Sequence, residues 1–428
     1  MSIRCIILLS ILTAILHAEN WPMWRGAKGS GTTTERNLPL KWNARENIAW
    51  KIELPQRGNS TPIVWGNRIF LTQPLEKENR RTLMCLDRRD GRILWQRGIK
   101  YETKEETHRS NPYCSESPAT DGKRVVAVFG SAGVYCYDFA GKLLWKRDDL
   151  SPIEFEWGSA VSPLIHKDRV YIYRGPAKKA RLLALDMKSG KTLWNADDPP
   201  VQTVGRTDGF KGNRDTSAWI CSYATPLVIP HGNNEAVLMT TPGSIQAHEP
   251  DTGKLLWNCE GLNPLIYSSP IYGEKTVVAM GGFHGTSVAV TVGGKNDVTF
   301  TRRLWQTVRT PNRLGSGVIH KGHIYVLNTT GILDCIELKT GKVLYSERTR
   351  GKGAKQESWS SMVLSGDRIY IPNQSAETFV IAASPKFKLL AINPLDGALT
   401  NASLTVSDGQ FFLRTHTHLW CIGTNNNL

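Results

Sequence analysis

Short apolar runs bounded by turn residues recur along the whole chain, and they come in pairs. In each pair two strand-like runs are joined by a tight turn, and the first run begins at a Ser or Thr that is often followed by Pro. Runs of this length and composition predict β-hairpins, and Pro is tolerated at a first strand position because it needs no ladder partner there. The clearest pairs span 60–72, 117–129, 162–173, 316–327 and 360–371, and more divergent ones begin at Thr225, Ser269 and Ala402.

A second hairpin follows most of these pairs and contains an eleven-residue motif. At 184–194 it reads ALDMKSGKTLW: a small residue, any residue, an acidic position, three residues, Gly, three residues and an aromatic residue. The acidic side chain can accept hydrogen bonds from turn amides, the Gly supplies the positive φ of a short loop, and the aromatic ring buries a large apolar surface. Related copies stand at 85–95, 247–257 and 335–345, and a copy one residue shorter stands at 136–145.

Together the hairpins predict an all-β fold, an eight-bladed β-propeller of four-stranded antiparallel blades. The last unit has three strands, whereas the stretch NIAWKIEL at 47–54 has no partner ahead of the first unit. We therefore expect the N-terminal strand at 47–54 to complete the last blade, which removes the exposed edges of an open array. The seventh unit, FVIAASPKFKLL, lacks the turn Gly and the aromatic residue, so its strand register is the least constrained.

The eleven-residue motif resembles the tryptophan-docking motif of PQQ-like β-propellers, which include the quinoprotein alcohol dehydrogenases. The resemblance implies that each Trp packs across a blade interface and that the small residue makes room for it. The opening WPMWRGAKGSG, followed by LPLKW, is similar to a secreted, non-lipidated bacterial branch of this superfamily. The architecture is also similar to the propeller lipoprotein that assists outer-membrane protein assembly, but Cys5 stands at the very start of the apolar run and does not match the lipid-attachment cysteine of that family.

Residues 1–18 have the pattern of a secretory signal peptide, with Arg4, the apolar run CIILLSILTAIL and LHA ahead of Glu19. We therefore expect residues 19–428 to form a single propeller domain that is exported to the periplasm or the extracellular space and is soluble after cleavage. The formal net charge of +15 favours anionic partners. The basic residues are scattered and form no nucleic-acid module, so we expect no nucleic-acid partner. We also expect no transmembrane segment and a monomeric protein.

The cysteines and histidines give few signals for a metal site or a disulfide. Cys114 and Cys221 precede inner strands, and the sequence leaves open whether they are free or bridged. His416 and His418 could share one strand face, but no third metal ligand lies near them in sequence. Four other cysteines occupy the small-residue position of the repeat and are expected to be small buried hydrophobes: Cys85, Cys136, Cys335 and Cys421.

Motifs of the common catalytic classes are absent from the sequence. It contains no G-x-S-x-G, no H-E-x-x-H and no G-x-x-x-x-G-K-[ST]. The resemblance to quinoprotein dehydrogenases implies PQQ and calcium as cofactors, but the adjacent cysteines and the C-x-x-C-H haem motif of those enzymes are missing. Oxygen ligands for calcium could come from the channel-mouth loops, where no motif fixes the roles of Glu116, Glu156, Glu357, Asn59 and Asn111.

The connections that lead into the inner strands should converge on the propeller axis at one face, which we call the channel mouth. Aromatic rings with a few convergent polar groups are typical of ligand and peptide sites, although strand packing alone would explain about half of these residues. The longest connection, 195–224, predicts a further contact surface. The candidate binding residues are Asn59, Arg109, Asn111, Tyr113, Glu116, Glu156, Trp157, Trp219, Tyr223, Tyr267, Arg313, Glu357 and Trp359.

Three functional hypotheses follow from these patterns. The leading one is an exported, non-catalytic propeller that serves as a protein- or ligand-binding scaffold in the bacterial cell envelope. The alternative is a quinoprotein-type oxidoreductase that binds PQQ and calcium at the channel mouth. A third hypothesis, a carbohydrate or polyanionic ligand, rests on the mouth aromatics and the positive net charge.

Overall fold

The computed structural model of the chain describes residues 19–176, 179–200, 220–282, 285–308 and 310–423. Within these residues, eight antiparallel sheets of four main strands follow one another along the chain. The predicted eight-bladed propeller is therefore confirmed. The signal-peptide prediction for residues 1–18 lies outside the described residues. No helix of the described part of the chain is long and apolar enough to cross a bilayer.

The first four blades each run from an inner strand at the axis to an outer strand at the rim. Blade 1 consists of Ile63–Trp65, Arg68–Leu75, Arg80–Asp87 and Ile93–Lys100. Blade 2 consists of Ala119–Thr120, Arg124–Val128, Val134–Asp138 and Leu143–Arg147. Blade 3 consists of Leu164–His166, Arg169–Arg174, Arg181–Asp186 and Thr192–Asp197. Blade 4 consists of Leu227–His231, Asn234–Thr241, Ser244–His248 and Leu255–Glu260.

Blades 5 to 8 repeat this layout. Blade 5 consists of Ile271–Gly273, Thr276–Met280, Ser287–Thr291 and Arg303–Thr307. Blade 6 consists of Val318–His320, His323–Leu327, Ile332–Glu337 and Val343–Arg348. Blade 7 consists of Val363–Ser365, Arg368–Pro372, Glu377–Ala382 and Leu389–Pro394. Blade 8 consists of Thr405–Ser407, Gln410–Arg414, His418–Ile422 and the N-terminal strand Ile48–Glu53.

Short elements lie outside the four-strand layout. They are the 3₁₀ turns Glu76–Glu78 and Gly130–Ala132, the helical turn Thr299–Arg302, and the two-residue strands Thr32–Thr33, Cys221–Ser222, Leu265–Ile266 and Asn296–Asp297. Cys221–Ser222 pairs with Leu265–Ile266 in a small parallel sheet, which joins the connections that enter blades 4 and 5.

The N-terminal strand closes the ring as predicted. Ile48–Glu53 pairs antiparallel with His418–Ile422 and forms the outer strand of blade 8. The two ends of the propeller therefore share one sheet, and no blade is left with three strands.

Each copy of the repeat places a small residue directly opposite a large ring. In blade 3, for example, Ala184 on the third strand faces Trp194 on the outer strand, and the ladder register shifts beside this pair. Blade 7 reverses the sizes, because Val380 faces Ala391 there. The other pairs are Cys85 with Trp95, Cys136 with Trp145, Ala247 with Trp257, Ala289 with Trp305, Cys335 with Tyr345 and Cys421 with Trp50.

The ring of one blade then packs on the turn Gly of the next blade. The Trp95 Nε1 of blade 1 donates to the Phe139 carbonyl of blade 2 across 2.9 Å. Gly141 lies against the same indole so closely that an added Cβ would be 2.9 Å from it, and its φ of +85° also favours Gly. The same contact joins Trp50 to Gly91, Trp145 to Gly190, Trp194 to Gly253 and Trp305 to Gly341.

Blade 5 departs from this interface. Its last turn is replaced by a longer excursion in which Asn296–Asp297 pairs in parallel with Trp257 and Asn258 of blade 4. The Trp257 Nε1 has no hydrogen-bond acceptor among the described residues, because the turn carbonyl that serves the other interfaces is absent at this position.

The N-terminal segment 19–37 was assigned no structural role from the sequence, yet it contacts several blades. Trp21 forms a bridge with Val64 of blade 1, and Thr32–Thr33 pairs in parallel with Leu364 and Ser365 of blade 7. Between these points Arg25 is buried, and its guanidinium donates to the carbonyls of Ser316 and Gly317 in blade 6 at 2.9 and 2.7 Å. The segment thus crosses the propeller axis between blades 1 and 7.

Candidate functional site

Eight Ser and Thr side chains form a closed ring of hydrogen bonds around the axis, which we call the hydroxyl ring. Each backbone amide donates to the hydroxyl oxygen of the corresponding residue in the next blade. The N···O distances run from 2.7 to 3.2 Å. In blade order the members are Thr61, Ser117, Ser162, Thr225, Ser269, Ser316, Ser361 and Ser403, and the amide of Ser403 returns to Thr61.

A cavity of about 730 Å³ opens at the channel mouth beside this ring, and we call it the mouth cavity. This volume falls within the range of about 300–1,000 Å³ that is usual for small-molecule sites. Six members of the hydroxyl ring line it: Thr61, Ser117, Ser162, Thr225, Ser361 and Ser403. The other lining residues are Trp24, Asn59, His108, Asn111, Ser115, Glu156, Trp157, Ala160, Tyr223, Tyr267, Asn312, Leu314, Thr329, Trp359 and Asn401.

Aromatic rings form one wall of the mouth cavity, and we call it the aromatic wall. It consists of Trp157, Tyr223 and Tyr267, which lead into blades 3, 4 and 5. The Tyr267 ring centroid lies 6.1 Å from Trp157 and 6.2 Å from Tyr223, with interplanar angles of 52° and 50°. Phe155 supports the wall through an edge contact with Trp157 at 5.2 Å. An added Cβ at Gly282 would be 2.4 Å from the Tyr267 ring, so a residue without a side chain makes room for that ring.

Three carboxamides line a neighbouring part of the cavity, which we call the amide arc. It consists of Asn401, Asn59 and Asn111, which lead into blades 8, 1 and 2. The Asn59 Nδ2 donates to the Ser110 carbonyl at 2.8 Å, and the Asn111 Nδ2 donates to the Trp157 carbonyl at 2.7 Å. The Asn401 Oδ1 accepts from Gln374 Nε2 at 2.7 Å. These bonds fix the orientation of the amides on the surface of the cavity.

Few ionisable side chains line the mouth cavity. Among the described lining residues, Glu156 is the one carboxylate and His108 the one imidazole, and no Lys or Arg is present. The positive net charge of the chain is therefore not concentrated in this cavity.

Seven of the thirteen candidate residues line the mouth cavity: Asn59, Asn111, Glu156, Trp157, Tyr223, Tyr267 and Trp359. The side chains of Arg109 and Glu357 are exposed and contribute no lining atoms. Their backbone carbonyls form the contacts instead: the Arg109 carbonyl accepts from Arg57 Nη1 at 3.1 Å, and the Glu357 carbonyl accepts from the Gln374 amide at 2.7 Å. Trp219 lies outside the described residues, as does much of the connection 195–224.

Tyr113 and Glu116 depart from the expectation, because they belong to a separate buried cluster between blades 1 and 2. The Arg81 guanidinium forms an ion pair with Glu105 and lies 4.2 Å from the centroid of the Tyr113 ring. Glu116 is buried and accepts from the Gly130 amide at 3.1 Å, and burial raises the pKa of its carboxyl. Both side chains turn away from the axis because their partners lie in the blade body.

Arg313 also departs from the expectation. Its side chain is buried in blade 6 and forms an ion pair with Asp334, with Nη2 and Oδ2 separated by 2.6 Å. Because desolvation of an unpaired charge is costly, the carboxylate of the third strand draws this Arg into the blade and away from the mouth cavity.

The sequence reasoning missed several lining residues. Trp24 reaches the cavity from the N-terminal segment, far from the mouth connections in sequence. Asn401 and Asn312 stand in the short connections into blades 8 and 6, so the rule that selected the other mouth residues could have found them. The hydroxyl ring could also have been predicted from the sequence, because its Ser and Thr residues stand at the start of the inner hairpins. The remaining missed residues include His108, Leu314 and Thr329.

The cysteines and histidines form no metal site or disulfide in the described part of the chain. Cys114 and Cys221 are both free and buried, which answers the question that the sequence left open. No group of three His, Cys, Asp or Glu side chains converges as a metal site among the described residues.

A family model described as outer membrane protein assembly factor BamB matches residues 79–347 and 241–410. The chain belongs to this PQQ-like propeller family. The resemblance inferred from the eleven-residue motif is thereby confirmed.

Comparisons with individual proteins support the fold. Quinohemoprotein alcohol dehydrogenase ADH-IIG of Pseudomonas putida is 25% identical over 215 residues, which cover 46% of this chain and 28% of that protein. The chain thus matches less than a third of that relative. A europium-containing methanol dehydrogenase is 11% identical with a TM-score of 0.70, covering 95% of this chain and 98% of that chain. BamB of Moraxella catarrhalis is 15% identical with a TM-score of 0.60, covering 88% of this chain and 97% of that chain.

The residues of the mouth cavity do not fit PQQ with calcium, the cofactors of the quinoprotein dehydrogenases. Calcium takes six to eight hard oxygen ligands, several of them carboxylates, and the carboxylates of PQQ are best paired with cationic side chains. Within the described lining, Glu156 is the one carboxylate and no cationic side chain is present. Glu116 is committed to the Gly130 amide in the neighbouring buried cluster.

Proposed function

We propose that the chain is a non-catalytic propeller that binds a ligand in the mouth cavity and serves as a scaffold in the bacterial cell envelope. The observation that carries this proposal is the composition of the cavity, which is lined by aromatic rings, oriented carboxamides and few ionisable groups. Such a lining orients and desolvates a ligand but provides little to activate one.

The hydroxyl ring also supports binding over catalysis. A serine or threonine nucleophile needs an adjacent general base, whereas these hydroxyl oxygens accept the main-chain amides of the next blade. Their role in the ring is structural, and they present a fixed polar surface to the cavity.

Export to the envelope is part of the same proposal. It is supported by the signal-like pattern of residues 1–18 and by membership of a family named for outer-membrane protein assembly. An envelope protein as partner is consistent with that family name.

The quinoprotein alternative provides the test. We would mix the protein with PQQ and calcium and record dye-linked alcohol oxidation together with thermal melting. We expect no turnover and no tight-binding shift, which would follow RT ln(1 + [L]/Kd). Turnover that requires both PQQ and calcium would overturn the proposal. Trp157→Ala serves as the matched variant, because a cofactor held at the mouth would lose its shift in that variant.

A further inference from the structure

We propose that the ligand of the mouth cavity is an uncharged saccharide, held with its C–H face on the aromatic wall and its hydroxyls toward the amide arc. This inference rests on the proposed function and specifies its ligand. The cavity is lined by two surfaces of different chemistry. The connections into blades 3, 4 and 5 supply the rings of the aromatic wall, and those into blades 8, 1 and 2 supply the amide arc, while Asn312 and Trp359 line the cavity from the connections into blades 6 and 7.

A ligand that satisfies both sides must be amphipathic. A pyranose ring has clustered C–H groups on its faces and hydroxyls around its edge. Aromatic faces carry negative charge density that attracts such C–H groups, and the amide oxygens of the arc can accept from hydroxyls. Most of the amide N–H groups already donate to protein oxygens. The connection into blade 3 adds Glu156, whose carboxylate can accept from two neighbouring hydroxyls.

The geometry of the aromatic wall argues against a flat heteroaromatic ligand. A nucleobase or a flavin would favour parallel rings that enclose a slot. The wall rings are instead tilted by 50–52° to one another, and Phe155 packs behind them at 88° to Trp157. Tilted rings form a faceted apolar surface, which suits the puckered C–H face of a sugar.

The charge of the lining argues against an anionic ligand. Polyanion sites use Arg and Lys, and none is present among the described lining residues. Arg313 is withheld in an ion pair with Asp334, and Glu156 would repel a carboxylate, sulfate or phosphate at close range. The positive net charge of +15 is therefore not reflected in the side chains that line this cavity.

The hydroxyl ring and Trp24 complete the fit. Six ring members expose atoms to the cavity while their oxygens accept amides of the next blade. They form a polar surface that does not rearrange when a ligand binds, which lowers the entropic cost of binding. The indole of Trp24 adds an apolar surface from the N-terminal segment.

The test is isothermal titration calorimetry of the whole protein with a panel of neutral oligosaccharides: maltotriose, cellotriose, chitotriose and mannotriose. Trigalacturonate and adenosine represent the anionic and heteroaromatic alternatives. We expect at least one neutral oligosaccharide to bind with a Kd of about 0.01–1 mM. Trp157→Ala should weaken that binding roughly tenfold or more, because it removes a central stacking ring.

Two further variants keep the test decisive. Phe300→Ala removes a ring that is 91% exposed on the blade 5 excursion and should leave the Kd within about twofold. Glu156→Ala changes an exposed side chain of the cavity, so it should fold even if Trp157→Ala does not, and it should weaken the same binding because it removes the carboxylate acceptor. The inference fails if no neutral oligosaccharide binds at about 10 mM, or if Trp157→Ala, with native melting, binds as well as the original chain.

The outcomes separate this inference from the proposed function. Binding of adenosine or trigalacturonate that is lost in Trp157→Ala, without turnover, would overturn the saccharide and leave the ligand-binding scaffold standing. Turnover with PQQ and calcium would overturn both.

Discussion

The backbone amide of Ser403 donates to the hydroxyl oxygen of Thr61 across 3.0 Å, although the two residues lie 342 positions apart. This bond closes the hydroxyl ring at the axis. At the rim, Ile48–Glu53 closes the propeller a second time through the outer strand of blade 8. The first and last parts of the propeller are therefore joined both near the axis and at the rim. The two residues that close the ring near the axis also line the mouth cavity.

The first prediction concerns the closing bond of the hydroxyl ring. Thr61→Val keeps the size of the side chain but removes the acceptor of the Ser403 amide. A buried amide without a partner costs about 1–3 kcal/mol, so we expect the free energy of unfolding in urea to fall by that amount. Thr61→Ser retains the hydroxyl and serves as the control. Equal stability of the two variants would show that the ring bond contributes nothing measurable.

The second prediction concerns the contact between neighbouring blades. Gly190 has a φ of +72°, and an added Cβ would be 2.5 Å from the Trp145 ring. Gly190→Ala therefore both strains the backbone and displaces the indole. Gly322 has a similar φ of +75° with no atom within 4 Å of an added Cβ, so Gly322→Ala measures the backbone strain alone.

We expect Gly322→Ala to cost about 1–2 kcal/mol, the usual penalty of a left-handed residue with a side chain. Gly190→Ala should cost roughly 1–3 kcal/mol more because of overpacking. Urea denaturation of the two variants checks the difference. If both lose the same stability, the docking contact is not what requires Gly in the repeat.

The fold was predictable because its determinants are local and repeated. The turn Gly and the aromatic residue stand four positions apart in every clear copy, and together they specify both the hairpin and the blade interface. The pairing of Ala289 with Trp305 was not recognised because the blade 5 excursion separates the two. The size reversal of Val380 and Ala391 explains why the seventh unit showed no motif.

The site was only partly predictable because the sequence gives the position of a residue in a loop but not the direction of its side chain. Glu156 and Trp157 reach the axis, whereas Arg313 in an equivalent connection turns into its blade toward Asp334. The contribution of Trp24 is nonlocal, since it depends on the path of the N-terminal segment across the axis. No periodic signal encodes that path.

The third prediction concerns the thiols. The described cysteines Cys85, Cys114, Cys136, Cys221, Cys259, Cys335 and Cys421 are free and buried. Burial raises the pKa of the Cys114 thiol to about 12, so few thiolates are available near neutral pH. A chain that begins at Glu19 should show almost no reaction with Ellman's reagent when native and seven reactive thiols when unfolded without reductant. A count lower by two would reveal a disulfide, and reductant would then lower the melting temperature.

The last prediction concerns the pH dependence of stability through His416. Burial, together with the nearby cations Arg414 and Arg57, lowers the pKa of His416 to about 4. The unfolded chain, with a His pKa of about 6.5, binds the proton more readily, so stability should fall as the pH drops from about 6.5 to 4. The ring is partly exposed, and solvent screening reduces the expected loss to about 1–2 kcal/mol. His416→Asn removes the titration, and a flatter profile in urea denaturation at several pH values is the expected result. An unchanged slope would assign the acid sensitivity to other groups.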